Sequence, residues 1–138
     1  MTQRQVVLDT CMVIDIMEAD IFAQKMRRRL RGKSIRFVLT DVVCREAKKA
    51  RGFDVHSISA RIQRLLGREV DVISIEERHI AEAERLSSRY HMCHHGDNRI
   101  LAFCRERSLP LVTRDEDLHR VSQWVGVASF RPSEVGGI

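Results

Sequence analysis

Apolar residues along this chain fall into short blocks that alternate between two spacings. Val6, Val7 and Leu8 form an unbroken run that stops at Asp9, the pattern of a strand buried on both faces. From Thr10 the spacing becomes helical, with Met12, Val13, Ile16 and Met17 on one side. Asp20 reads as the cap of a second helix carrying Ile21, Phe22, Met26 and Leu30, which Gly32 ends. Ile35–Leu39 is β-branched and aromatic and reads as the next strand. Thr40 or Asp41 then caps a helix with Val42, Val43, Glu46 and Ala47, stopped at Gly52. Ile58, Ile62, Leu65 and Leu66 mark another helix, closed by Gly67. Val70–Ile75 reads as a strand interrupted by Asp71 and Ser74. Ser74 and Glu77 have the spacing of a capping box for a helix bearing Ile80, Ala83, Leu86 and Tyr90. Asp97 opens a helix with Ile100, Leu101 and Cys104. Leu109–Val112 is a strand, a short helix runs from about Asp115 to Trp124, and a last strand lies near Val125–Phe130.

About five strand-to-helix alternations predict an α/β fold with a mostly parallel sheet, because crossovers of this length hold the helices that parallel pairing requires. No repeat or linker interrupts the 138 residues, so residues 1–138 are expected to be one domain. G-x-G-x-x-G and G-x-x-x-x-G-K-[ST] are both absent, which argues against dinucleotide-binding and P-loop chemistry. No apolar run reaches the ~18 residues of a membrane span. Val6–Leu8 meets an acid too soon for a signal sequence, and Cys11, Cys44, Cys93 and Cys104 form no C-x-x-C pair. These features predict a reduced, cytoplasmic protein without a membrane partner. The formal charge of +5 weakly favours a polyanionic partner.

Four carboxylates stand where the apolar pattern leaves no room for solvated acids. Asp9 ends the first strand, and Asp115 follows the strand that ends at Val112–Thr113. Glu46 shares a helix face with Val42 and Val43, and Asp97 shares one with Ile100 and Leu101. Each has a structural alternative: Asp9, Asp97 and Asp115 are all suitable helix caps, and Glu46 can sit at a helix rim. Ionised carboxylates are rarely buried unless paired or metal-bound. In open α/β sheets, ligands gather at the carboxyl ends of strands. Acids brought together there call for a cation, and all-oxygen ligation suits magnesium or manganese, as one or two ions.

The strings VVLDTC, LTDVVCREAKK, HHGDNRILAFC and LVTRDEDL resemble the four acidic blocks of the PIN-domain ribonucleases, from about Val6 to Leu118. That resemblance implies a three-layer fold around a five-stranded sheet of order 3-2-1-4-5. It places Asp9, Glu46, Asp97 and Asp115 at the catalytic, metal-holding positions. Thr10 and Thr113 match the neighbouring hydroxyl positions, and Asp117 matches a more variable acid. Cys11 stands where a small polar residue is common, and Leu118 replaces a frequent Phe. The implied activity is Mg/Mn-dependent endoribonuclease hydrolysis that leaves 5′-phosphate and 3′-hydroxyl ends. The implied partners are RNA, a second copy of the chain as a homodimer, and an antitoxin if the chain is a toxin. The alternative is a catalytically silent RNA- or protein-binding module of the same fold.

Other polar residues fill in this expectation. Between Ile21 and Thr40 lie 7 basic residues and no acid. Arg27, Arg28, Arg29, Arg31 and Lys33 are therefore candidate RNA-phosphate contacts, against the alternative of a solvated helix face. Arg99 either points toward substrate or pairs with Asp20 or Glu106. His91, Cys93, His94 and His95 lack a distant pair with zinc-site spacing and read as a histidine-bearing loop. His56 and His79 read as surface residues, and Tyr90 and Trp124 as core or dimer contacts. The candidate dimer surface is the pair of helices around Ile21–Leu30 and Ile58–Leu66.

Overall fold

Consecutive residues Val6, Val7 and Leu8 are completely shielded from solvent, so the strand they form is covered on both faces. In the computed structural model, which describes residues 3–89 and 95–138, this is β1 (Arg4–Leu8). It lies at the centre of a five-stranded sheet with β2 (Ile35–Thr40), β3 (Val70–Ile73), β4 (Leu111–Val112) and β5 (Ser129–Phe130). The order is β3-β2-β1-β4-β5, and all four pairings are parallel. The α/β architecture and the strand order both match the expectation. With every strand running the same way, all carboxyl ends meet at one edge and all amino ends at the other.

Seven helices fill the crossovers among the described residues: α1 (Thr10–Glu18), α2 (Asp20–Arg29), α3 (Asp41–Arg51), α4 (Val55–Leu66), α5 (Glu77–Arg89), α6 (His95–Arg107) and α7 (Glu116–Trp124). α1, α2 and α4 pack on one another, α5 packs along α6, and α3 touches both α1 and α6. That bridging position brings a side chain of α3 between the starts of α1 and α6. Phe37, Phe103, Met12, Ile16 and Ile62 are among the largest residues of the core.

Several boundaries differ from the sequence reading. β3 ends at Ile73 because the amide of Ile75 donates to Asp41 Oδ1 at 2.9 Å instead of continuing the ladder. α5 starts at Glu77 without the Ser74–Glu77 box, and the amide of Glu76 donates to His79 Nδ1. Asp20 is inside α2, after the cap residue Ala19, and its carboxylate binds Arg61. α6 starts at His95, so Asp97 lies in its first turn and is not its cap. The last strand is only Ser129–Phe130, because Val125 and Val127 donate back to Val121 and Ser122 of α7.

His79 is not a surface residue. It is 1% exposed, with Nε2 on the Glu106 carboxylate and its ring edge-on to Phe103. Trp124 is 53% exposed and does not belong to the core. The apolar residues of α2 and α4 are mostly spent inside the fold, leaving Ile21 and Val55 exposed on the expected dimer surface. Tyr90, His91, Cys93 and His94 lie outside the described residues. Cys11, Cys44 and Cys104 are free thiols.

Candidate active site

The parallel topology assembles the site at the carboxyl edge of the sheet. β1 delivers Asp9, β4 delivers Thr113 and Asp115, and β2 leads through Thr40 into α3. Asp9 is 3% exposed. As the cap of α1 it accepts from the amides of Cys11 at 2.7 Å and Met12 at 3.4 Å through Oδ1. Its Oδ2 accepts from the Thr113 hydroxyl, which in turn accepts from the amide of Asp115 at 3.0 Å. One threonine thus ties the ends of adjacent strands β1 and β4 together. Asp115 caps α7, accepting from the amides of Asp117 and Leu118. The capping alternative for Asp9 and Asp115 is therefore realised, and it orients both carboxylates at the same edge.

Glu46 approaches from α3. Its Oε1 accepts from the Thr10 hydroxyl at 2.7 Å. Its carboxylate lies directly on the backbone of Gly96, close enough that a Cβ there would be 2.9 Å from Oε2. Glu46 therefore spans from the residue after Asp9 to the residue before Asp97. Asp97 is half-buried in the first turn of α6, where a helix favours negative charge.

Cys11 donates its thiol to Asp9 Oδ1 at 2.8 Å. Burial, and then the adjacent Asp9 charge, push its pKa up to about 12, so the thiol keeps its proton at neutral pH. Arg114 binds Asp15 at 2.6 Å beside the site, and this bond raises the guanidinium pKa. Gly96 and Arg114 lie within the acidic blocks, but neither the contact of Gly96 nor the Arg114–Asp15 pair is legible from spacing. Arg114 stands between two selected residues and carried no periodic signal. The role of Gly96 is visible only through a contact made fifty positions away in the chain.

The other candidates are placed differently. Asp117 is exposed and pairs with Arg120. Arg99 lies in α6, and its two suggested partners are engaged elsewhere: Asp20 with Arg61, and Glu106 with Arg78 and His79. Arg27, Arg28, Arg29, Arg31 and Lys33 sit at the end of α2 and the entry to β2, which is the amino edge of the sheet. They are separated from the acids by the length of β2, about 20 Å at ~3.3 Å per residue.

The donor chemistry suits a hard cation: carboxylates and hydroxyls surround the edge, and the one thiol remains protonated. Oδ2 of Asp9 accepts one hydrogen bond and keeps lone-pair capacity for a second interaction. Among the described residues, however, no three carboxylate, imidazole or thiol side chains stand close enough to enclose an ion. The residues present fit magnesium or manganese by type.

A family model described as the PIN domain matches residues 6–123. No curated protein matches the sequence. Among solved structures, a toxin–antitoxin complex from Klebsiella pneumoniae is similar with 22% identity and a TM-score of 0.57, covering 81% of this chain and 88% of that one. VapBC-1 from nontypeable Haemophilus influenzae is 17% identical with a TM-score of 0.65, covering 94% and 98%. DNA-bound VapBC from Salmonella typhimurium is 13% identical with a TM-score of 0.62, covering 95% and 99%. At these identities the structural likeness concerns the fold.

Proposed function

This chain belongs to the PIN-domain family, and from that membership we propose that it is a metal-dependent endoribonuclease. The observation that carries the proposal is the hydrogen-bonded chain from Asp115 through Thr113 to Asp9, with the Thr10–Glu46 pair beside it. Two hydroxyls aim two carboxylates at one strand edge, which is the positioning a cation site needs. Asp9, Asp97, Asp115 and Glu46 would hold magnesium or manganese there. A bound ion supplies charge neutralisation at the phosphate and lowers the pKa of a coordinated water.

The chain's own residues supply position and proton handling. Thr113 fixes Asp9, and Cys11 holds the other oxygen of the same carboxylate. Glu46, oriented by Thr10 through Oε1, accepts the proton of the attacking water. The water oxygen bonds to phosphorus as the P–O3′ bond breaks, the departing 3′ oxygen takes up the proton that Glu46 received and returns through solvent, and the 5′ side keeps the phosphate. Arg99, two residues after Asp97, and Asp117, two residues after Asp115, are proposed as supporting residues. No helix among the described residues is long and apolar enough to cross a membrane, and the proposed RNA substrate makes the cytoplasm the proposed place of action.

One structural relative is described as a toxin–antitoxin complex, which supports the toxin form of this function, with an antitoxin as protein partner. A homodimer is the proposed assembly. Light scattering should then read about twice the 16.0 kDa chain mass. The central test compares wild type with Asp97→Asn on single-stranded RNA plus manganese, reading product ends by mass spectrometry. Cleavage with 5′-phosphate ends by wild type only supports the nuclease. Equal cleavage by both proteins rejects the site. Manganese-independent RNA binding without cleavage by wild type assigns the silent module instead.

A further inference from the structure

Four arginines line a cavity of about 360 Å³ at the amino edge of the sheet, across the fold from the acids. Arg27, Arg28 and Arg31 come from α2 and its exit, and Arg68 comes from the turn after α4. Gly67 in that turn has φ +64° and places its backbone beside the Arg27 guanidinium. The remaining side chain of note, Leu66, is 2% exposed. The segments before β2 and before β3 thus supply a single pocket whose lining contains no acid.

Part of this charge has a structural use. Arg68 donates to the carbonyls of Leu30, at 2.7 Å, and Lys33, and Arg27 reaches the carbonyl of Leu65. These contacts satisfy the ends of α2 and α4. Two helix carboxyl termini contribute about half a negative charge each, against four guanidiniums, so the pocket stays strongly positive. The nearest acids on β3 and its approach, Glu69 and Asp71, are held by Arg36. Arg29 and Lys33 turn instead to the carbonyls of Pro132 and Ile138. Arg28 and Arg31 are exposed, and their side chains make no hydrogen bond or ion pair among the described residues.

We propose that this arginine cavity is a phosphate-binding site for the nucleic-acid backbone, about 20 Å from the acidic edge, with Arg28 and Arg31 as its contacts and Arg27 and Arg68 as its frame. The proposal rests on the nuclease reading only for the identity of the nucleic acid as RNA. Guanidinium forks match phosphate oxygens. The occupant is a nucleic acid and not an acidic protein, because the arginine anchors of protein interfaces work beside aromatic or apolar ones in a desolvated core. None of the exposed large apolar side chains Ile21, Val55, Val72 and Trp124 lines the cavity. Interfaces with nucleic acids are instead polar and basic. A strand gripped here and at the acidic edge together must be long enough to pass from one edge of the sheet to the other.

The test measures binding of a fluorescent 30-nucleotide RNA by anisotropy in a metal chelator, at several salt concentrations, for wild type and the double variant Arg28→Gln/Arg31→Gln. Loss of two phosphate contacts should flatten the log–log salt slope by about 1.4 and weaken binding about 25-fold at 0.1 M salt. Inorganic phosphate at millimolar concentration should compete with the long RNA at wild type more than at the variant. Unchanged slope and affinity for the long RNA overturn the proposal. Arginine-dependent binding of polyglutamate with unaltered RNA binding overturns it too and assigns the cavity to an acidic protein. The nuclease reading is scored separately. Cleavage by wild type with no arginine-dependent binding removes the cavity alone, and arginine-dependent binding with no manganese-dependent cleavage removes the nuclease alone.

Discussion

Replacing Gly96 by alanine should separate stability from activity. An alanine Cβ at this position would meet Glu46 at 2.9 Å from Oε2 and 3.1 Å from both Cδ and Oε1. Those distances are too short for carbon against a carboxylate, so the Glu46 side chain must swing away. Its bond to the Thr10 hydroxyl, 2.7 Å, is then lengthened or lost, at a cost of about 1–1.5 kcal/mol for a half-buried pair. Alanine returns about 1 kcal/mol through its helix propensity. The two effects nearly cancel, and the melting temperature should stay within about 4 °C of wild type. Catalysis has no such compensation. A carboxylate displaced by as much as 1 Å can cost a reaction about 100-fold, so manganese-dependent RNA cleavage should fall about 10- to 100-fold in a folded protein. Thr10→Val removes the same hydrogen bond without a clash and should lower activity as well. The double variant should lose less than the product of the two single losses, because both act on one side chain. Cleavage by Gly96→Ala within twofold of wild type would refute the idea that Glu46 must be held where Thr10 and Gly96 hold it.

Thr113→Val should destabilise the protein by about 2 kcal/mol in urea denaturation, because Asp9 Oδ2, on a residue 3% exposed, loses its hydroxyl donor. A loss under 0.5 kcal/mol would show that another donor takes over. Cys11, its pKa raised to about 12 by burial and by Asp9, should resist iodoacetamide at pH 8 until the protein unfolds, and alkylation as fast as that of a model thiol would contradict its placement. Glu106 has its pKa depressed, first by the hydrogen bond from His79. Its contribution to stability is therefore complete above the ordinary carboxylate value near 4.5 and is lost as pH falls through the lower folded value. Glu106→Gln should flatten that acid limb in a pH series of thermal melts, and an unaltered limb would place the acid sensitivity elsewhere.

Periodicity in the sequence was enough to mark the strands at Val6–Leu8 and Ile35–Leu39 and the helices between them, because burial on both faces of a parallel sheet leaves continuous apolar runs. The acids at positions 9, 46, 97 and 115 also stood out locally, since each interrupts or shares an apolar face. Boundaries were harder wherever a long-range bond overrides a local signal. Ser74 and Glu77 have the spacing of a capping box, yet Asp41, from another crossover, takes the Ile75 amide and ends the strand. His79 looked like a surface residue because its partner, Glu106, is on another helix. The basic row was legible as charge, but its distance from the acids was not. Only the parallel topology, which puts strand entries at one edge and strand exits at the other, separates Arg28 and Arg31 from Asp9. The same topology joins Thr113 to Asp9 and seats Glu46 on Gly96. Composition and spacing select residue types along a line, while contacts between residues far apart in the chain depend on how the crossovers pack, and that was decided in three dimensions.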